Sequence, residues 1–76
     1  MNINLVVEYQ RWANRGLVTA LICPYDGLDL FPVQMPNDKI SLYCPRTDYR
    51  KLLGFGEYTS LTKKLDLVKR LFKEMS

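Results

Sequence analysis

Two Cys-Pro dipeptides, Cys23-Pro24 and Cys44-Pro45, constrain this chain more than any other feature. Proline fixes φ at about −65° and withholds an N–H, so each dipeptide marks a place where regular structure stops and the chain turns. Between them the sequence alternates. Leu28-Asp29-Leu30-Phe31-Pro32-Val33 puts Leu28, Leu30 and Pro32 on one face of a strand and Asp29, Phe31 and Val33 on the other. Pro32 cannot donate to a ladder, so this strand must lie at an edge or break there. Met35-Pro36-Asn37-Asp38-Lys39 is rich in turn formers, and Pro36-Asn37-Asp38 fits a tight reversal. Ile40-Ser41-Leu42-Tyr43 alternates again, with Ile40 and Leu42 sharing a face. The pattern predicts a β-hairpin joining two cysteine-bearing turns.

The flanks read differently. Asn2 or Asn4 caps a helix running to about Arg15. Leu5, Tyr9, Trp12 and Gly16 form its apolar stripe, widened by Val6 and Ala13. On that stripe Tyr9 and Trp12 read as core anchors. Arg11 and Arg15 suit the negative end of the helix dipole, and Gly16 suits a left-handed C′ position. Leu17 to Ile22 is continuously apolar and predicts a strand covered on both faces. Thr47 to Tyr58 reads as a connector, with a short helical turn over 49–53 and with Gly54 and Gly56 interrupting regular structure. The last helix, capped by Thr59 or Ser60, carries Leu61, Leu65, Val68, Phe72 and Met75 at spacings of four and three. Leu67 and Leu71 widen its apolar surface. The expected fold is one α+β domain of 76 residues. It has an N-terminal helix over 1–16, a β region over 17–50 and a basic amphipathic helix over 59–76.

A core this small supplies only about 3–5 kcal/mol, so a staple, a metal or a partner would help. The chain is 47% hydrophobic, which separates it from the disordered class. No apolar run reaches the roughly 20 residues of a membrane helix. The N-terminus has no signal-peptide pattern, and two cysteines are too few for a disulfide-rich secreted scaffold. These readings favour a cytoplasmic protein with reduced or metal-bound thiols, in a host cytoplasm or a virion if a phage encodes it.

The stretch from Leu21 to Arg50 resembles a zinc ribbon, in which two knuckles of the form Cys-Pro-x-Cys-Gly are joined by a β-hairpin. The first knuckle keeps Cys23, Pro24 and Gly27 but has Asp26 in place of its second cysteine. The second keeps Cys44 and Pro45 but has Thr47 in place of its partner, with Asp48 next to it. The resemblance implies a ribbon-like hairpin and sheet packed by the two helices, and at most a zinc ion held by Cys23, Asp26, Cys44 and Asp48. Structural zinc prefers four thiolates or imidazoles, and the chain contains no histidine. Other readings of the cysteines are small buried hydrophobes, a disulfide across the hairpin base, or a ribbon that has replaced its metal with packing. The last is preferred, so no cofactor is expected.

Catalysis is not expected. Without histidine a cysteine or serine nucleophile lacks its ordinary base, and Gly54-Phe55-Gly56 lacks the Lys-Ser/Thr of a phosphate loop. A protein-interaction or assembly module, acting with a protein partner or as a homo-oligomer, is the favoured reading. Leu61, Leu65, Val68, Phe72 and Met75 are its partner-binding surface. The small size and the truncated knuckles resemble the accessory proteins of bacteriophage and bacterial genomes. The alternative is a nucleic-acid-binding or transcription-associated protein, as many zinc ribbons are. The formal charge is +3, and Arg46, Arg50, Lys51, Lys63, Lys64, Lys69, Arg70 and Lys73 would meet phosphates. Tyr43 and Tyr49 would stack on bases.

Overall fold

Asn2 begins the first helix as expected: its side-chain oxygen accepts the Asn4 N–H at 3.0 Å. In the computed structural model, which describes residues 1–75 and the side chains of residues 1–73, this helix, α1, spans Ile3–Asn14. Gly16, at φ +78°, closes it. The Gly16 N–H donates to the Ala13 carbonyl at 2.9 Å and the Leu17 N–H to the Trp12 carbonyl at 3.2 Å. That is the paired ending a left-handed glycine permits. Strands β1 (Phe31–Gln34), β2 (Ile40–Cys44) and β3 (Tyr49–Leu52) follow, and helix α2 (Phe55–Met75) ends the described chain.

The three strands make one antiparallel sheet in the order β1-β2-β3, an α+β arrangement with a helix at each end of the chain. Phe31 pairs with Tyr43 and Gln34 with Ile40 across the first ladder; Ser41 pairs with Leu52 and Cys44 with Tyr49 across the second. Pro36–Asp38 form the 3-10 turn between β1 and β2, with Asn37 and Asp38 at positive φ. β2 alternates strictly: Ile40, Leu42 and Cys44 are buried, while Ser41 and Tyr43 are half-exposed. Val6 and Tyr9 of α1, Leu61 and Leu65 of α2, and Leu30, Leu53 and Cys23 complete the core. Each fully buried aliphatic or aromatic side chain there contributes about 1.5–3 kcal/mol.

Four expectations are corrected. Residues 17–22 are not a buried strand. Leu17 and Ile22 are exposed, and the segment makes only an isolated bridge between Ile22 and Asp29. Its backbone is held by the Leu30 N–H, which donates to the Leu21 carbonyl at 2.9 Å, and by side chains of α1. The Tyr9 hydroxyl donates to the Thr19 carbonyl at 2.6 Å. The Gln10 amide nitrogen donates to the carbonyls of Leu21 and Leu30, and its oxygen accepts the Leu21 N–H at 3.0 Å. The fully buried line of α1 accordingly runs through Val6, Tyr9 and the unexpected Gln10, with Leu5 and Trp12 packed beside it and Gly16 beyond the helix end.

The helical turn over 49–53 is a strand. Its apolar spacing suits a turn of helix, but the free side of β2 offers backbone partners that a helical turn would leave unpaired. Asp48, at φ +60°, makes the tight link into it, a conformation that Asp tolerates better than most residues. α2 begins at Phe55, not at a Thr59 or Ser60 cap. The Gly54 N–H donates to Glu57 Oε1 at 3.4 Å, the return half of a capping box. Thr59 sits inside the helix, donating to the Phe55 carbonyl at 3.0 Å. Gly56 is accommodated in the first turn, against a cost of about 1 kcal/mol relative to alanine.

Candidate functional site

The two cysteine turns meet, and each is built by its own local chemistry. In the first, the Gly27 N–H donates to the Cys23 carbonyl at 2.9 Å and the Cys23 N–H to the Leu28 carbonyl at 2.8 Å. Gly27 takes φ +72°, so the reversal depends on its lack of a Cβ. Asp26 Oδ1 accepts the Leu28 N–H at 3.0 Å, the bond by which an Asp stabilises a turn two residues on. The second turn leaves β2 at Cys44 and re-enters the sheet at Tyr49, whose N–H donates to Thr47 Oγ1 at 3.4 Å.

One donor atom from each of Cys23, Asp26 and Cys44 lies within 4.8 Å of the others. The Cys44 thiol donates to the Asp26 carboxylate, 3.6 Å from Oδ2. Cys23 Sγ lies 3.2 Å from the Thr47 hydroxyl. Both sulfurs are buried, each cysteine 1% exposed. The cluster is therefore completed by Thr47, three residues after Cys44, through its hydroxyl. Asp48, expected as a ligand, falls outside the cluster: its left-handed backbone turns it toward Arg50, 3.5 Å away.

The electrostatics favour the charged forms. The Leu28 N–H, and behind it the two thiols and Arg46, hold the Asp26 carboxyl below its ordinary range. The Thr47 hydroxyl, followed by the N–H groups of Thr47 and Arg46, holds the Cys44 thiol below its own. Two thiolates, one carboxylate and one neutral hydroxyl would leave structural zinc short of a complete set of four anionic or imidazole ligands. The same four side chains pair with one another through thiol–carboxylate and thiol–hydroxyl contacts. Tyr25 and Tyr49 meet edge to face above the turns, ring centroids 5.8 Å apart.

The expected partner surface divides along α2. Leu61 and Leu65 are 4% and 3% exposed, so they belong to the core and cannot meet a partner. Val68 is half-buried, and the Met75 side chain lies outside the described residues. Phe72 packs edge to face on Trp12 at 5.4 Å yet remains 49% exposed, with Leu67 at 56% and Leu71 at 48%. These residues sit on the C-terminal half of a helix of 21 residues, roughly 30 Å long. Leu67, Val68 and Leu71 also form one wall of a groove of about 320 Å³ whose other wall is Leu17, Val18 and Thr19, with Lys64 at its edge. Sequence reasoning missed the second wall because it placed Leu17 and Val18 in a buried strand.

The cations expected to meet phosphates do not form one patch. Arg50 lies over the Tyr43 ring, 4.9 Å from its centroid, on the open face of the sheet. Lys51 pairs with Glu57 at 2.9 Å, and Lys69 pairs with Glu8 at 2.7 Å across to α1. Arg46 is exposed on the second turn, while Lys63, Lys64, Arg70 and Lys73 are exposed along α2. Among the described residues no helix is long and apolar enough to cross a membrane. Compared with known proteins, the chain matches no family model, no curated protein and no solved structure, and the site is read from its own geometry.

Proposed function

We propose that this chain is a small non-catalytic protein-interaction or assembly module, built on a zinc-ribbon-like hairpin that works without its metal. The observation that carries the reading is the exposure of Leu67, Leu71 and Phe72 on the distal half of α2 beside the groove walled by Leu17 and Val18. Contiguous apolar surface of that kind on a small soluble domain marks a place where another protein sits. Lys63, Lys64 and Arg70 flank the strip, which suits a partner helix with acidic residues beside its apolar stripe. The cysteine turns then position the sheet and helices and take no part in that contact. A photocrosslinking residue at position 71 tests this in the native host extract. Capture of one defined protein from position 71 but not from position 46, lost in Leu67→Asp, supports it. Capture from neither position, or equally from both, overturns it.

A second reading rests on a separate observation. The open face of the sheet carries Phe31, Val33 and Leu52 exposed, with Arg50 stacked on Tyr43. That combination suits single-stranded nucleic acid, with aromatic rings for bases and a guanidinium for phosphate. Fluorescence anisotropy with a labelled oligonucleotide would then show affinity falling steeply with salt and further in Tyr43→Ala. Binding that is insensitive to salt removes this reading.

A further inference from the structure

We propose that Cys23 and Cys44 form an oxidative modification site, in which a hydroperoxide converts the two thiols into an intramolecular disulfide. The proposal is independent of any partner on α2. It rests on the placement of the sulfurs, which lie within 4.8 Å of each other. A disulfide needs them about 2.05 Å apart, so forming it requires the two sulfurs to swing toward each other about their Cα–Cβ bonds. No other cysteine competes, since these are the only two in the chain.

Two further features favour oxidation here. The cluster offers an ion only three strong donors, so the thiols are not secured in a complete metal cage. Both sulfurs also lie just beneath the surface: Pro24, Tyr25, Asp26, Pro45 and Thr47 around them are all exposed. A water-sized peroxide therefore needs only a local opening of one turn to reach them. The Cys44 thiol lies at the rim of the cluster, 3.6 Å from the exposed Asp26 carboxylate.

The chemistry balances as follows. The Cys44 sulfur attacks one peroxide oxygen, the O–O bond breaks, and a sulfenic acid and one water result. The Cys23 sulfur then attacks the sulfenic sulfur, the S–S bond forms, and the S–O bond breaks to release a second water. The two thiol protons end in the two waters. Each sulfur loses one electron, and the peroxide gains two. The product ties the first turn to the end of β2 and closes a loop of roughly 20 residues, which stabilises the folded state against the unfolded one.

The test treats the reduced full-length protein with millimolar hydrogen peroxide in the presence of a chelator, followed by tryptic mapping under non-reducing conditions. The expected product is a linked pair of peptides, 16–39 and 40–46, about 2 Da lighter than their sum and separated by dithiothreitol. No disulfide-linked dimer forms, and the denaturation midpoint rises on oxidation and returns on reduction. A dimedone probe finds no sulfenic acid in the wild-type protein but labels Cys44 in Cys23→Ser, where the resolving thiol is gone. Sulfenic or sulfinic acid accumulating in the wild type, or dimers as the main product, overturns the proposal. So does a stoichiometric zinc ion that survives the chelator and blocks oxidation.

Discussion

The cysteine turns and the distal half of α2 solve opposite problems with the same 76 residues. At the turns, thiol, carboxylate and hydroxyl groups are brought together and each finds a partner within the group. On the distal helix, leucines and a phenylalanine extend beyond the cover that α1 and the sheet provide. A closed set of polar contacts fixes geometry and asks nothing of the surroundings. An uncovered apolar strip contributes little to the isolated fold and gains only when something else lies on it. On the proposed reading, the region with the suggestive motif sets geometry, and the plain amphipathic helix carries the surface left open for a partner.

The sharpest way to break that division lies within α2 itself. Leu65→Asp should cost at least about 3 kcal/mol or unfold the domain, because it drives a charge into the core. Leu71→Asp should stay within about 0.5 kcal/mol of the parent, as exposed substitutions do. Urea unfolding followed by circular dichroism reads both, and equal losses would erase the distinction between the two halves. Next in size is Gln10→Ala. It removes the side-chain partners of the Leu21 N–H and the Leu30 carbonyl, while the Leu21 carbonyl keeps the Leu30 N–H, and should lower stability by about 2–3 kcal/mol.

Replacing both cysteines probes the turns. The Cys23→Ser, Cys44→Ser double variant should lose only about 1–2 kcal/mol, since serine keeps a hydrogen-bonding group at each position. A chelator should leave the melting temperature of the parent unchanged. Complete unfolding in either case would mean that an ion holds the turns together. The smallest effect is on pH dependence. Asp26 and Glu57 both have depressed carboxyl pKa values, Asp26 chiefly through the Leu28 N–H and Glu57 chiefly through Lys51. Their contribution is present above the ordinary carboxylate values of 3.8 and 4.5 and is lost as pH falls through the lower folded values. Asp26→Asn should flatten part of that acid limb in melting curves. An unchanged limb would show that the carboxylate gains nothing from the turn.

How much of this was legible in the sequence follows from the range of the forces involved. Elements set by their own residues were readable. Asn2 and Gly16 bound α1, Pro36-Asn37-Asp38 reverses the chain, and the alternation of Ile40 to Cys44 marks the central strand. What was hidden depended on distant partners. Residues 17–22 look like a strand until Gln10, a polar residue on the inner stripe of α1, takes up their backbone groups. Its place between Tyr9 and Ala13 on the buried side was the available signal. Tyr49 to Leu52 look helical until β2 offers its free side. At the site, the two turns do bring Cys23, Asp26 and Cys44 side by side. Thr47 was passed over as a participant because a hydroxyl is a poor metal ligand, although it serves well as a hydrogen-bonding partner for a thiol.

Pro32 carries a consequence of its own. It sits in the middle of β1, and β1 is an outer strand of the sheet. With Phe31 and Val33 exposed on either side, this rim would otherwise be a ready template for a fourth strand from another chain. The pyrrolidine ring removes a donor from its middle. Growth of the sheet by main-chain addition at that rim is therefore interrupted, which leaves β3 as the edge open to such pairing.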